Sequence, residues 1–388
     1  MDALRIQGGA RLSGTLAVDG SKNASLPAMA AAILSTDTVQ LRDVPPLSDI
    51  NNMVRLLGEI GCEVVHDDRT MTIRTVDPTA NHARYDIVRT MRASICVLGP
   101  LLAARGEARV SMPGGCAIGD RPVDLHLRGL EALGATITLD GGDIIARADK
   151  LKGATIFLGG PFGSTVLGTA NVMSAAVLAE GTTIIESAAC EPEITGLADM
   201  LNGMGADVSG AGTPRIEIHG VESLGNVDYQ VIPDRIVAGT IAMAVAITNG
   251  DATLTNFPYD NLLAVLDRLT AAGVHIQRCD DTEPANRCTV KVSSDRNLKP
   301  VLFTTQPYPG YPTDLQAQMM TVLCLADGNS IVTERIYPDR FLHVSELTRM
   351  GAQLFRSGPT VVVQGGGELI GAPVMAGDLR GSAALIMA

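Results

Sequence analysis

The sequence predicts an α/β protein made of repeated β-α-β-α-β-β units, with apolar helices inside and sheets outside. Two observations carry this. First, short phrases around a glycine return along the chain: Ile60-Gly61-Cys62, Leu133-Gly134-Ala135, Met204-Gly205-Ala206, Ala272-Gly273-Val274 and Met350-Gly351-Ala352. Their spacing is roughly 70 residues, longer than ordinary solenoid repeats, and each phrase ends a helical pattern and precedes a strand. Second, alanine-rich helical stretches recur that are apolar on most faces, and such helices belong in a core.

The first unit shows the plan. Leu16-Ala17-Val18 reads as a strand, and Ser21 to Leu34 as an alanine-rich helix with Ser21 or Asn23 as its cap. Thr38 to Leu41 is a strand, Asp49 to Ile60 a helix closed by Gly61, and Cys62–Val65 with Met71–Ile73 a hairpin. The same order recurs from Tyr85 to Ala148, Thr155 to Ile218, Tyr229 to Val292 and Val301 to Gln364. The apolar helices recur as Ala93 to Ala104, Ala170 to Ala179, Ile236 to Thr248 and Leu315 to Ala326, and should be central. The more polar second helices should be external. A sixth unit opens at Leu369-Ile370-Gly371-Ala372-Pro373-Val374-Met375 and runs to Ala388. By analogy with the other five it is incomplete, so the sequence is expected to be a truncated chain.

A chain of 388 residues is long enough for two or three domains. With no Trp, six Phe and six Tyr, its core must be built from Ala, Val, Ile, Leu and Met. A net charge of -12 argues against a general nucleic-acid binder, which needs a basic footprint. Seven cysteines, with no CxxC pair and no metal-ligand spacing, fit free thiols in a reducing compartment. The N-terminus has no apolar signal core, and no apolar run reaches the ~18 residues of a membrane span. The chain reads as soluble and cytoplasmic.

One loop carries chemistry. Pro113-Gly114-Gly115-Cys116-Ala117-Ile118-Gly119-Asp120-Arg121-Pro122 sets a thiol near a guanidinium on a glycine-rich turn. From composition alone, a reactive thiol and a surface loop with an incidental cysteine both fit.

The motifs decide between them. Asp19-Gly20-Ser21-Lys22-Asn23-Ala24, Arg89-Thr90-Met91-Arg92-Ala93-Ser94, the Pro113–Cys116 run with Arg121-Pro122-Val123-Asp124-Leu125-His126, Pro233-Asp234-Arg235, Pro312-Thr313-Asp314-Leu315-Gln316-Ala317-Gln318 and Asp378-Leu379-Arg380 stand in one order along the chain. In these the sequence resembles the enolpyruvyl transferases, and among them the UDP-N-acetylglucosamine 1-carboxyvinyltransferases. The resemblance covers the whole chain. It implies a two-domain inside-out α/β barrel, the enolpyruvyl transferase fold, with three β-α-β-α-β-β units per domain and the active site between the domains. It places residues 21–230 in the domain of the cysteine loop and joins residues 1–20 to 231–388 in the second, whose third repeat is truncated.

The reaction the resemblance implies moves the enolpyruvyl group of phosphoenolpyruvate onto the 3'-hydroxyl of UDP-N-acetylglucosamine and releases phosphate through a tetrahedral ketal. It opens peptidoglycan synthesis, and so serves cell-wall biogenesis, cell shape and division. The partners implied are these two small molecules, with no metal, cofactor, nucleic acid or membrane; the oligomeric state is not implied. Addition needs a proton on the vinyl carbon and a proton taken from the sugar hydroxyl, and the site must hold a phosphate and a carboxylate.

By the same resemblance, Cys116 matches the proton donor, which also forms an adduct with phosphoenolpyruvate and is the target of fosfomycin. A thiol of ordinary pKa about 8.5 is still mostly protonated at neutral pH. Lys22 matches a phosphoenolpyruvate contact with Asn23 bonding the sugar, at a helix N-terminus where amides attract anions; a capping turn with a solvated lysine also fits. Arg92 and Arg121 match substrate-contacting arginines, and a salt bridge at the helix start also fits Arg92. Arg121, Pro122, Val123, Asp124 and Leu125 match the nucleotide segment, with Asp124 facing uracil. Gly163, Ser164, Thr165 and Val166 match a second nucleotide segment. Asp314 matches the general base, although Thr313-Asp314 also suits a helix start. Ile336 and Arg380 match substrate contacts, with a salt bridge from Arg380 to Asp49 or Asp378 as the alternative. Asp49 and Asp234-Arg235 read as support.

The chain departs from the family where many relatives have a basic residue in place of Gly163 and a Glu in place of Val237. A further family arginine, in an Asp-Arg-Gly-Tyr pattern of the last unit, has no match, so impaired activity is expected of a chain ending at Ala388. Two other readings remain: the sister transferase of shikimate 3-phosphate, against which the cysteine loop and the Arg-Pro-Val-Asp-Leu run argue, and an inactive nucleotide-sugar-binding paralogue.

Overall fold

The computed structural model describes residues 3–113 and 123–388. Among the described residues there are five four-stranded sheets, all on one plan. A first strand pairs parallel with a second, and an antiparallel hairpin of a third and fourth strand adds through its fourth. The sheet of Thr155–Phe157, Thr182–Glu186, Asp207–Ser209 and Arg215–His219 shows it. The sheet of Leu302–Thr304, Asn329–Thr333, Gln353–Ser357 and Thr360–Gln364 repeats it. Cysteine loop residues Gly114–Pro122, with the candidates Cys116, Arg121 and Pro122, lie outside the described residues.

The described chain forms two compact units, one of residues 20–113 and 123–232, the other of residues 3–19 and 233–388. The leading strands of the first and fourth repeats are exchanged. Ser13–Ala17 precedes the first helix but pairs parallel with Asp251–Phe257. Val227–Gln230 precedes the fourth helix but pairs parallel with Val39–Arg42. Each sheet is thereby completed, and strand N–H and C=O groups that would otherwise stay open are paired.

The alanine-rich helices are the buried ones. Lys22–Ala31 continues as a 3-10 turn over Ala32–Leu34, and everything from Ala24 to Leu34 is buried. Ser21 is the cap, its hydroxyl accepting from the Ala24 N–H at 3.2 Å. Val166–Ala176, Arg235–Ile247 and Gln316–Leu323 are buried in the same way. Among the second helices, Ser48–Glu59 buries only Ile50, Met53, Leu56 and Leu57, as an external amphipathic helix does.

Three expectations are corrected. The second helix of the third repeat, Pro192–Gly203, is not external: it buries residues from Pro192 to Leu201, Glu193 included, and packs on Lys22–Ala31. Only a narrow polar stripe, Thr195, Asp199 and Asn202, is left toward solvent. The Ala93–Ala104 helix is in two pieces, a 3-10 stretch Arg92–Val97 and a helix Leu98–Arg105. Pro100 has no N–H, and its ring excludes the carbonyl of Cys96 from a regular turn. The strand expected at Leu369–Met375 is not formed; Ile370 N–H bonds Met350 O at 2.8 Å instead, and the next helix is Leu379–Met387. Among the described residues no helix is long and apolar enough to cross a membrane.

The repeated glycines have one cause. Gly61, Gly134, Gly205, Gly273 and Gly351 have φ of 79°, 96°, 103°, 94° and 99°, the left-handed conformation that ends a helix. At Gly61 an added Cβ would also stand 2.1 Å from the carbonyl oxygen of Asp77. Gly61→Ala should therefore cost more than the ~1 kcal/mol of a simple left-handed alanine. Gly134→Ala, with nothing within 4 Å of the added carbon, should cost about that amount alone. Urea unfolding of the two variants compares them directly.

Candidate active site

Several of the candidates among the described residues lie at or near the N-terminal end of a helix. In the unit of residues 20–232 three such starts carry them. Lys22 is the first residue of its helix, and its ammonium is paired: Nζ lies 3.0 Å from Asp49 Oδ2, with the lysine side chain 17% exposed. A cation at a helix N-terminus opposes the helix dipole, so Asp49 offsets that cost and holds the lysine in place. Asn23 follows, half-buried. Arg92 opens the 3-10 stretch, with Nη1 3.5 Å from Pro113 O. Thr165 caps Val166–Ala176, its Oγ1 accepting from Gly168 N–H at 3.2 Å.

The two nucleotide-segment candidates come together in part. Asp124 is exposed in the first turn of Asp124–Ala132, and Val123 before it is buried. The turn Gly160–Gly163, closed by two backbone bonds of 2.8 and 3.1 Å, runs so close to Leu125 that a Cβ on Gly160 would stand 3.1 Å from Leu125 Cδ1. Gly163 has φ 102°, a backbone in which a side chain would be strained. Ser164 and Val166 continue the segment, half-buried.

Sequence reasoning missed what ties these starts together. Asn171, buried within Val166–Ala176, donates through Nδ2 to Ile95 O at 2.8 Å and accepts the Gly99 N–H on Oδ1 at 2.8 Å. An unbroken α-helix would join those two groups to each other; here Asn171 bridges them, and Ile95 O also accepts the Leu98 N–H. Asn171 Nδ2 also stands 2.8 Å from His126 Nδ1, so Nδ1 accepts and the imidazole is neutral. One amide thus links the Arg92 stretch, the Asp124 helix and the Thr165 helix. A lone asparagine in the apolar run Thr169-Ala170-Asn171-Val172-Met173 was the signal.

In the other unit Asp314 is the centre. It is the second residue of the 3-10 turn Thr313–Leu315, which leads into Gln316–Leu323. Its carboxylate does not serve as the cap. Oδ1 accepts from Arg340 Nη1 at 2.7 Å and Oδ2 from Arg380 Nε at 3.1 Å, with Arg380 Nη2 also 3.1 Å from Oδ2 as an ion pair. Arg380 therefore pairs with Asp314, and neither of the ion partners expected for it, Asp49 and Asp378, takes that place. Asp378 instead caps Leu379–Met387, accepting from Arg380 N–H and Gly381 N–H at 2.9 and 3.3 Å. Arg340 is 6% exposed, with Nη2 3.6 Å from Asp378 Oδ1. Burial works against its charge, but Asp314, Asp378 and Glu334 outweigh burial and raise its pKa. Ile336 lies in the loop before Arg340, its N–H bonded to Glu334 Oε1 at 2.7 Å. Asp234 is support of the same kind, capping Arg235–Ile247 through bonds from Ile236 and Val237 N–H.

Two buried histidines set an acid limit on stability. Burial, aided by Arg92, pushes His126 down to about 4 from 6.5, and burial does the same to His343. In the unfolded chain both take a proton near pH 6.5. Their contribution is therefore fully present above 6.5 and is lost as the pH falls toward 4, at about 1.4 kcal/mol per pH unit for each histidine. Denaturant unfolding across that range should show the slope, and His126→Leu should remove about half of it.

With this geometry in hand, the comparisons are direct. The family model described as EPSP synthase (3-phosphoshikimate 1-carboxyvinyltransferase) matches residues 6–388. The chain belongs to the enolpyruvyl transferase family. Within this family it is 48% identical, over all of its own length and 91% of the relative, to a UDP-N-acetylglucosamine 1-carboxyvinyltransferase of Desulfosudis oleivorans. It is 49% identical, with the same coverage, to the protein of that name from Geobacter metallireducens. Solved enolpyruvyl transferase structures share the fold. The enolpyruvyl transferase NikO from Streptomyces tendae superposes with a TM-score of 0.86 at 24% identity, over 98% of this chain and 89% of that one. EPSP synthase from Acinetobacter baumannii gives 0.70 at 18% identity, over 93% and 83%. The inside-out α/β fold expected from the repeat is the fold of this family.

Proposed function

We propose that this chain transfers the enolpyruvyl group of phosphoenolpyruvate to the 3'-hydroxyl of UDP-N-acetylglucosamine, releasing phosphate, as the entry step of peptidoglycan synthesis. The end-to-end identity of 48–49% to relatives carrying that activity in their names is the observation that carries it. The transferase that acts on shikimate 3-phosphate gives its name to the family model, yet it is the nucleotide-sugar enzymes that match at this level.

The chemistry assigns roles. A proton goes to the vinyl CH2 carbon, the 3'-oxygen bonds to the adjacent carbon, and a base takes the hydroxyl proton. The ketal then loses phosphate and a methyl proton to restore the vinyl group. Cys116 is the acid in this reading, and Asp314 the base, its carboxylate oriented by Arg340 and Arg380. Lys22, Arg92, Arg121 and Arg380 balance the anionic charge of phosphoenolpyruvate. Asn23 and Ile336 contact the sugar. Pro122–Leu125 and Gly163–Val166 hold the nucleotide. Substrates of this kind are water-soluble phosphate esters, and with free thiols in the chain we place the reaction in the cytoplasm.

Phosphate release tests the acceptor. It should require phosphoenolpyruvate and UDP-N-acetylglucosamine together. Release with shikimate 3-phosphate in its place would transfer the assignment to the sister reaction. Tight binding of UDP-N-acetylglucosamine with no release would make this an inactive paralogue.

A further inference from the structure

We propose that Glu334 is a positioning residue for this transfer, setting the hydrogen-bond orientation around Asp314; the inference rests on the function proposed above. Glu334 follows the strand Asn329–Thr333 and is 0% exposed. A carboxylate is costly to bury unless its oxygens are satisfied. Here Oε1 accepts from Thr305 Oγ1 at 2.6 Å, Ile336 N–H at 2.7 Å and Tyr337 N–H at 3.0 Å, and Oε2 accepts from Thr313 Oγ1 at 2.9 Å. The repeat does not demand this. In the other four sheets the residues after the second strand are Asp43, Met112, Ser187 and Pro258.

Three of the four donors, Thr313, Ile336 and Tyr337, lead to Asp314. Thr313 precedes it in the chain. Ile336 and Tyr337 begin the loop that delivers Arg340 to it. The link through Thr313 is directional. Its single hydroxyl proton goes to Glu334, so its oxygen is left to accept from Arg340 Nη1 at 3.2 Å. That same nitrogen donates to Asp314 Oδ1 at 2.7 Å. Glu334 thereby fixes the Thr313 hydroxyl, which steadies the arginine, which orients the carboxylate proposed as base.

Glu334→Gln separates position from packing. Its oxygen can keep the three donors on the Oε1 side, but its NH2 then faces Thr313, which must accept where it now donates. Turnover of phosphoenolpyruvate with UDP-N-acetylglucosamine should fall about 10- to 100-fold in kcat, the worth of one hydrogen bond to a charged group. The KM for UDP-N-acetylglucosamine should move less than about twofold if only the reacting geometry is disturbed. Thr313→Val should show the same split, Thr313→Ser should restore the rate, and the Glu334→Gln/Thr313→Val double variant should be no slower than the slower single. A Glu334→Gln enzyme within twofold of wild-type kcat, a Thr313→Ser as slow as Thr313→Val, or additive losses would each overturn the proposal. Should Glu334→Gln not fold, the Thr313 pair decides alone. A wild-type chain that turns over neither substrate sinks the functional reading, and this inference with it; normal wild-type turnover with an indifferent Glu334→Gln sinks only the inference.

Discussion

Asp314→Ala should lower kcat by about 10²- to 10⁴-fold, the range that a positioned general base contributes. The variant removes the group proposed to accept the sugar proton and also the shared partner of Arg340 and Arg380. Arg340 does not become an unpaired buried charge, because Asp378 remains at 3.6 Å, so the loss should be one of rate more than of folding. Asp314→Asn separates the two functions. An amide fills the same space and offers one oxygen to the arginines but cannot take a proton at working pH. It should be nearly as slow as the alanine variant while melting close to wild type. An Asp314→Asn enzyme keeping more than about a tenth of the wild-type rate would contradict the base assignment.

Cys116→Ala should lose activity on a similar scale if the thiol delivers the proton in the addition step. Cys116→Asp keeps a proton donor and should retain measurable turnover. Fosfomycin, an epoxide, should add to Cys116 alone, and Cys116→Ser and Cys116→Asp should both escape it. The other thiols make this a clean experiment. Burial pushes Cys96 and Cys324 up to about 12, so neither forms a thiolate near neutral pH. Cys279 is exposed and reports non-selective alkylation. Addition at another cysteine in place of Cys116, or turnover stopped with no addition at Cys116, would contradict the role.

How legible was this in the sequence? The β-α-β-α-β-β plan was, because its two markers have strict physical causes. Helices with no polar face must be inside, and the left-handed turn after each second helix selects glycine at 61, 134, 205, 273 and 351. The position of Lys22 at a helix start was legible for the same reason, since Ser21 is a strong cap. Other features depend on long-range neighbours that no local pattern encodes. At the break before Leu98, Gly99 N–H finds its partner in Asn171, more than 70 residues away, which also bonds Ile95 O. Pro192–Gly203 is buried because the helix it packs on offers it an apolar surface. The partners of Arg380 were misjudged because Asp378 is the adjacent acid in sequence, whereas Asp314 is the one its guanidinium reaches. Glu334 carried no local signal at all: its role comes from four donors out of three separate stretches of chain.

Product formed in D2O tests the central claim most directly. If a proton is added to the vinyl carbon and one is lost again on elimination, the enolpyruvyl methylene of the product should carry solvent deuterium. The group should sit on the 3'-oxygen of UDP-N-acetylglucosamine, with one phosphate released per product. No product, phosphate release without the acceptor, or a product whose methylene holds no deuterium would contradict enolpyruvyl transfer through a ketal.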